Sequence, residues 1–587
     1  MIVAYDYEVF KHNWLVVFVD PFTHEVTKIW DDVFTLNQYY ENRKNYIYVG
    51  YGSRHYDQYI QKGLLCGFNA WQISNWIINQ KLPGWQFSDA LQRIKMINYD
   101  VQPSRDKSLK QLEAFQGHNI HETGVDFNID RPLTDEEKRE TEKYCINDVM
   151  ETLNVFAETK ADFDALLGLI EMFNLPFSSI GKTKAQVSAQ ILECEKTERN
   201  DDWEIYTLPC LQLSNPKYKK YVAWFFDPKN QYYEKNGKKN QGFTGDVAGI
   251  PHAFGLGGIH GAKDKYIYVC DKDHLLIHVD VESYYPSLMI YWGLLTRSAR
   301  KPERFKEIYD RRLALKHEGK KKEQAPLKIV INGTFGISKD ENNPAYDPRN
   351  ANMICINGQL LLVDLIEKLE NIPSFELVQS NTDGLIIKVH RRDFAAVDDI
   401  CYSWETRTKM RLEFEFIERI YQGDVNNYLF KYADIESNGK KAGKWERKGA
   451  YVKELSPLDN DLPIINKALN DYFMIGTTPA ETIRNCTDYT MFQKVVKLSG
   501  KYEYVEYNGR KHTNKCYRVF ASKDRRDGAI YAVKNGGKRK DKYANTPEHC
   551  YIENGRTQGV RIPDYLNINW YINLANDRLL NKFGVEV

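Results

Sequence analysis

Residues 378 to 388, VQSNTDGLIIK, set an aspartate into a tight turn between two apolar runs, and no other stretch constrains the fold as much. Phe375, Leu377 and Gln379 alternate with opposite-facing neighbours up to Asn381-Thr382-Asp383-Gly384. Leu385-Ile386-Ile387 then resumes the run. β-Prone runs on either side of an Asp-Gly pair read as a β-hairpin. Turns favour Asp and Gly on conformational grounds alone. The other reading is that Asp383 waits at the turn for a positive charge.

A partner for it stands upstream in LLIHVDVESYYPSLM, residues 275–289. Leu275 to Val279 fits a buried strand with Asp280 at its end, and Ser283 to Pro286 turns the chain into an apolar, helix-like segment. A carboxylate at the end of a core strand is costly unless it is solvated, paired or bound to metal. Two aspartates so placed can hold two Mg²⁺ ions about 3.5–4 Å apart, an arrangement that serves phosphoryl transfer. Between them lies APLKIVINGTFGIS, 325–338. If Pro326 opens a helix, Lys328, Asn332 and Phe335 share a face. That face offers a cation, an amide and a flat ring, suited to a triphosphate and a base. Upstream, IYDRRLALK places Arg312 and Lys316 four residues apart on one helical face.

The N-terminus carries a second acidic pattern. In IVAYDYEVF the period of two puts Asp6 and Glu8 on one face of a strand. Adjacent carboxylates repel unless a cation lies between them. An exposed edge strand with two acidic residues is the alternative. Further on, EKYCINDVMET places Tyr144 and Asp148 on one face of a helix.

Bulk properties narrow the classes. A chain of 587 residues has room for about four domains or fewer, larger ones. It is 42% apolar, so it can bury several cores, yet no stretch reaches the roughly 18 apolar residues of a membrane span. MIVAYDYEVF does not read as a signal peptide. The ten cysteines are scattered without a C-x-x-C pair, which predicts reduced thiols, a cytoplasmic protein and no zinc site. The net charge of +1 excludes a global polycation, but residues 501–545 hold thirteen Lys or Arg against five Asp or Glu. KHEGKKKEQ at 316–324 is a second basic cluster. Such clusters can be plain solvated surface, or patches that serve nucleic acid without a high overall pI. Helical periodicity is expected over 136–158, 302–318 and 354–370, with strands at 2–9, 14–19 and 274–280. The polar stretch 230–249 is expected to be a linker or surface loop.

In order and spacing these segments resemble a family B DNA polymerase, and more closely the compact bacteriophage members. DVESYYPS (280–287) resembles the first polymerase motif, with Tyr284 where leucine is usual. KIVINGTFG (328–336) resembles the second, with Gly333 for serine and Phe335 for tyrosine. SNTDG (380–384) resembles the third, with Asn381 for the first of two aspartates. KGAY (448–451) resembles the lysine-tyrosine element that contacts the primer strand, and LGGIHG (256–261) the glycine-rich link between domains. Asp6 and Glu8, Asp57 in GSRHYD, and Tyr144 with Asp148 resemble the motifs of the 3′→5′ proofreading exonuclease. Gly52 and Ser53 stand where the second of these motifs has asparagine.

The resemblance implies an α/β and α+β multidomain fold: an RNase H-like exonuclease followed by a right-hand polymerase of palm, fingers and thumb. The exonuclease would span 1–165, a connecting region 166–253, the palm 254–300 and 354–455, the fingers 301–353, and the thumb with a C-terminal DNA-binding region 456–587. It implies Asp280, Val281 and Asp383 as metal ligands for synthesis, with Asp280 and Asp383 catalytic. Ser283, Tyr284, Tyr285, Arg312, Lys316, Lys328, Asn332 and Phe335 would bind the nucleotide, and Gly257, Gly258, Lys448 and Tyr451 the DNA. For proofreading it implies Asp6, Glu8, Asp57 and Asp148 as ligands and Tyr144 as the residue positioning the attacking water. Two Mg²⁺ or Mn²⁺ ions per site, deoxynucleoside triphosphates, primer-template DNA and phage replication proteins such as a helicase or single-strand binding protein follow as cofactors and partners. The setting would be the cytoplasm of a bacterial host. With 47 residues between Asp280 and Lys328 and 48 between Asn332 and Asn381, neither gap holds a large insertion, so a terminal-protein primer is not implied. Two other classes stay open: an exonuclease or repair protein with a degenerate polymerase half, and a non-catalytic DNA-binding scaffold. A reverse transcriptase would usually carry adjacent aspartates in its third motif.

Overall fold

The computed structural model describes residues 1–231, 242–534, 536, 537 and 539–587. The fold is mixed α/β with several sheets, and the chain divides into two compact units. The first comprises Met1–Lys182, Leu455–Ala468 and Pro479–Leu574; the second Thr183–Glu454, Leu469–Thr478 and Ala575–Val587. The C-terminal stretch 456–587 is thus divided between both. No helix among the described residues is long and apolar enough to cross a membrane.

In the first unit β1 (Ile2–Val9) lies at the centre of a five-stranded sheet. β2 (Trp14–Val19) pairs antiparallel with it, and β3 (Val26–Trp30) with β2. β4 (Ile47–Gly50) and β5 (Ile97–Asp100) add on the other side in parallel. The edge-strand alternative for 2–9 is therefore corrected: β3 and β5, not β1, are the edges. Val3, Tyr5, Tyr7 and Val9 fill a core with Phe18 and Tyr48 on one face. Burying four such side chains contributes roughly 6–12 kcal/mol, enough to hold the alternate residues where they fall. Those are Ala4, Asp6 and Glu8; Ala4 packs with Leu15, Val17, Cys145 and Val149, the last two from the Asp135–Glu158 helix. That helix starts at a capping box of Thr134 and Glu137, and Asp135 to Glu137 complement its dipole.

The second unit is built on a ten-stranded sheet of order β15-β14-β13-β10-β12-β11-β8-β7-β6, with β9 paired to β13. In chain order these are β6 (Phe243–Val247), β7 (Ile250–Phe254), β8 (Ile259–Ala262), β9 (Tyr266–Val269), β10 (His274–Val281), β11 (Glu376–Asn381), β12 (Gly384–His390), β13 (Leu412–Asp424), β14 (Asn427–Tyr432) and β15 (Trp445–Lys448). β10 is central, antiparallel to both β12 and β13. The predicted loop 230–249 needs correction, because 243–247 form the edge strand β6; its stretch 232–241 lies outside the described residues. The Pro348–Leu369 helix is buried almost throughout, while Pro302–His317 and Lys321–Ser338 bury only one side. Pro326 does not open its helix but sits inside it. Its missing N–H leaves the carbonyl of Lys322, an exposed residue, to water.

The C-terminal strands of the first unit form two small sheets. β16 (Lys494–Lys497), β19 (Cys516–Ala521) and β22 (Cys550–Ile552) make one; β17 (Tyr502–Tyr507), β18 (Arg510–His512), β20 (Ile530–Lys534) and β21 (Lys540–Lys542) make the other. Arg518 of β19 is fully buried and donates to the carbonyls of Ala114, His118 and Gly555, tying this part to the Leu109–Gln116 helix.

Candidate active sites

In the second unit the hairpin brings Asp383 to Asp280. Asn381 pairs with Gly384, so the loop is Thr382-Asp383, and Gly384 already belongs to β12. The Asp383 N–H donates to the Asn381 carbonyl at 2.7 Å, and Thr382 takes φ 59°. This is a γ-turn with positive central φ, the rarer and more strained of the two kinds, placed on a β-branched residue that disfavours it. The register lays Gly384 opposite Asp280, and Val281 N–H donates to the Asp383 carbonyl at 2.8 Å. Val281 is thereby anchored through its backbone. Gly384 leaves the space beside Asp280 clear: a Cβ there would lie 3.0 Å from both Asp280 Oδ1 and His278 Nε2.

Asp383 presses on Asp280. Burial, then Asp383, lifts the Asp280 pKa to about 7. Asp383, on an exposed turn, is also raised by the protein around it, while His278 and Lys448 pull it down. His278 and Glu415 stand across β10 and β13, with His278 Nδ1 3.0 Å from Glu415 Oε2; Lys441 also pairs with Glu415. Burial opposes ionisation of Glu415, yet His278 and Lys441 hold it at about 2. Glu413 lies directly across from Asp280.

The expected nucleotide-binding residues fall into three groups. Lys328 and Asn332 are exposed and Phe335 half-buried on one face of the Lys321–Ser338 helix, as the spacing predicts. The Phe335 ring meets that of Tyr285 at 4.6 Å between centroids. Arg312 Nη1 donates to Ser283 Oγ at 3.1 Å, and Arg312 Nε is buried without a hydrogen-bond partner among the described residues. Lys316, by contrast, is engaged by Glu413 at 2.8 Å and Glu282 at 3.2 Å. Tyr284 is placed differently from its neighbour Tyr285. Its side chain is buried and its hydroxyl donates to the Gly358 carbonyl at 2.6 Å, so only its backbone can face a nucleotide. The αL conformation of Ser283 swings the chain from β10 into the helix Tyr284–Tyr291, and this directs neighbouring tyrosines to different sides.

Among the expected DNA contacts, Gly258 has φ 153° and lies against Thr382. Gly257 accepts a bond from the Tyr285 hydroxyl at 2.9 Å. Lys448, at the end of β15, is close enough to bias Asp383, and the Tyr451 ring lies under Arg578 at 5.0 Å.

In the first unit Asp6, Glu8, Asp57 and Asp148 form one cluster. Asp6 and Glu8 face the helix that carries Tyr144 and Asp148, and Asp57 accepts from the Tyr7 N–H at 3.3 Å. Burial is the largest influence on each and raises all four; for Asp6 the next are Asp57, Glu8 and Asp148. Asp57 reaches about 7. Burial, then Asp148, pushes the Tyr144 phenol far up, so its hydroxyl stays protonated and can donate. Ser53 is buried and donates through Oγ to Asn98 Oδ1 of β5 at 3.1 Å, which also accepts from the Tyr5 hydroxyl at 2.8 Å.

Sequence reasoning missed Lys110, which pairs with Asp148 and with Glu113 at 2.9 Å and lies 4.6 Å from the Tyr144 ring centroid. It missed Cys145, whose Sγ joins Asp6 and Glu8 in a set of possible ligand atoms all within 4.8 Å of one another. Glu413, Glu415 and His278 were also missed. The alternation in LEFEFIE (412–418) beside a strand bearing Asp280 was the signal for the first two.

No protein-family model and no curated protein sequence matches the chain. Among solved structures the chain is similar to the family B DNA polymerase from the hyperthermophilic archaeon Pyrobaculum calidifontis. The likeness covers all of this chain and 78% of the other, at 13% identity and a TM-score of 0.42.

Proposed function

We propose that this protein synthesises DNA on a primer-template and removes mismatched 3′ ends, with synthesis in the second unit and 3′→5′ digestion in the first. The observation that carries the reading is the meeting of Asp280, near the end of β10, with Asp383, in the turn that leads into β12: Gly384 lies opposite Asp280 and the Val281 N–H donates to the Asp383 carbonyl, with no side chain at Gly384 to crowd Asp280. Asp280, lifted by burial and by its neighbour Asp383, belongs with Asp383 to a donor set suited to a divalent cation. Asp280, Asp383 and the Val281 backbone would hold Mg²⁺ or Mn²⁺ in one site, and Asp6, Glu8, Asp57 and Asp148 in the other. When bound, such ions lower the pKa of an attacking hydroxyl or water and stabilise developing phosphoryl charge.

The chain's own residues supply the rest. Arg312, with an unpartnered Nε, and Lys328 offer cations for the triphosphate of an incoming deoxynucleotide, and Asn332 an amide. Phe335 and Tyr285 form the angled aromatic pair against which base and sugar would lie. Lys448 and Tyr451 would follow the primer strand. In the first unit the protonated Tyr144 hydroxyl would orient a water, and Lys110 balances the charge of Asp148. A phage genome-replication role, with helicase and single-strand binding partners, extends this reading.

The engagement of Lys316 by Glu282 and Glu413 favours a second reading, a nuclease or repair protein whose palm no longer synthesises. Incubating a 5′-labelled primer-template with Mg²⁺, with and without deoxynucleotides, separates them. Extension with nucleotides and digestion without them are expected. Digestion in both lanes would select the second reading.

A further inference from the structure

The segment Gly255 to His260, a loop up to Gly258 and then the start of β8, has three glycines in its first four residues, so the loop brings little stiffness of its own. Its position is set by what captures its backbone. Gln359, 1% exposed in the Pro348–Leu369 helix, accepts from the Gly255 N–H at 3.0 Å and donates to its carbonyl at 2.6 Å. The Leu256 carbonyl accepts from Lys339 Nζ and from Cys355 Sγ, the latter at 3.0 Å. The Gly257 carbonyl accepts from the Tyr285 hydroxyl at 2.9 Å. The Ile259 carbonyl accepts from Thr382 N–H at 2.9 Å, and His260 Nδ1 is 3.0 Å from Asn381 Oδ1. One loop is thus held by three helices and by the turn that carries Asp383.

Lys339 does a second thing. Its ammonium lies 4.6 Å from the centroid of the Phe335 ring, and that ring meets Tyr285. The cation therefore touches the aromatic platform directly and the tyrosine hydroxyl through the loop. A tyrosine ring turns about two bonds, so its placement beside Phe335 depends on the acceptor its hydroxyl finds.

We infer that Lys339 and Gln359 are positioning residues for sugar selection: they fix the loop carbonyl that holds Tyr285, and thereby the ring that excludes a 2′-hydroxyl. The inference rests on the polymerase reading above. Neither residue is assigned a contact with the nucleotide; Lys339 also meets the Phe335 ring, but the effect of both on sugar choice runs through the loop.

The test is single-nucleotide insertion by the full-length protein on one primer-template, comparing kcat/KM for a deoxynucleotide with that for the matching ribonucleotide. Lys339→Met keeps the stem and loses the ammonium, Gln359→Leu loses both clamps, and Tyr285→Phe keeps the ring and loses the tether. Each should lower the deoxy-over-ribo ratio roughly tenfold, the scale of a hydrogen bond made by a charged or buried group. Lys339→Arg should restore the ratio to within about twofold, since a guanidinium can still donate and stack. Lys339→Met with Tyr285→Phe should be no worse than Tyr285→Phe alone, because without the hydroxyl the loop's position no longer reaches the ring. Lys339 is on the surface, so its variant folds even where Gln359→Leu does not. A wild-type ratio in Lys339→Met, or additive losses in the double variant, overturns the inference while leaving the polymerase reading intact. Failure of the wild-type protein to insert either nucleotide overturns both.

Discussion

Asp280 shows what a single residue contributes. Its folded pKa, about 7, exceeds that of an ordinary aspartate because of burial first and Asp383 second. A group raised on folding stabilises the folded state fully below its unfolded pKa and loses that contribution as pH rises through the folded value. Metal-free protein should therefore lose stability from about pH 4 to 7, with Asp57, also near 7, acting in the same direction. Asp280→Asn should raise the metal-free Tm at pH 8 by the equivalent of about 1–2 kcal/mol, allowing for solvent screening. It should do little at pH 5, and calorimetry in chelator at both values checks this. An equal effect at both pH values would mean that Asp280 is not under electrostatic load. Tyr285 makes a second claim at this scale. Tyr285→Val should raise ribonucleotide incorporation with deoxynucleotide use only modestly impaired, read on the same primer. An unchanged ratio removes it as the gate. Asp280, Asp383, Asp6 and Glu8 were legible because each stands at a fixed offset within one element. Lys110 was not: its partner Asp148 is 38 positions away, and no local period reports such a contact.

At the scale of elements, the hairpin, β1, β2, β10 and the helix faces followed from periods of two and 3.6. The break read at Asn381-Thr382-Asp383-Gly384 is where the chain turns, with Asn381 and Gly384 paired and Thr382-Asp383 between them. Sequence reasoning mistook Pro326 for a helix start, since a proline near the first turn cannot be told from one a turn and a half inside. Gly384 tests the hairpin's purpose. Its backbone is extended, so Gly384→Ala is allowed locally, but the new Cβ would meet Asp280 Oδ1 and His278 Nε2 at 3.0 Å. A shift of a few tenths of an ångström should cost roughly tenfold in synthesis with little change in Tm; full activity would show that the space is not needed. The basic stretch after 500 is more modest than its composition suggests. Arg526, Arg539 and Lys540 are paired with Asp524, Asp541 and Glu506, and Lys538 lies outside the described residues. Exposed pairs of this kind are weak, so phosphate can still compete. Neutralising Arg525, Arg526, Lys538, Arg539 and Lys540 should flatten the dependence of DNA affinity on salt. An unchanged slope would return the stretch to ordinary solvated surface.

For the whole molecule, the two acidic sets belong to different units, and that separation is the central claim. The sequence foretold a second acidic set at the N-terminus, but it could not foretell that 479–574 would fold with Met1–Lys182. That association depends on contacts such as Arg518 with the Ala114 and His118 carbonyls, about 400 positions apart. The direct measurement is primer extension and digestion, side by side, for wild type, Asp280→Ala, Asp383→Ala and the pair Asp6→Ala with Glu8→Ala. Either second-unit variant should lose synthesis by at least about a thousandfold, the scale of removing a principal electrostatic group, while digesting single strands near the wild-type rate. The first-unit pair should extend primers normally and leave mismatched 3′ ends in the product. Wild-type extension by Asp280→Ala or Asp383→Ala, or proofreading that survives loss of Asp6 and Glu8, would contradict the account.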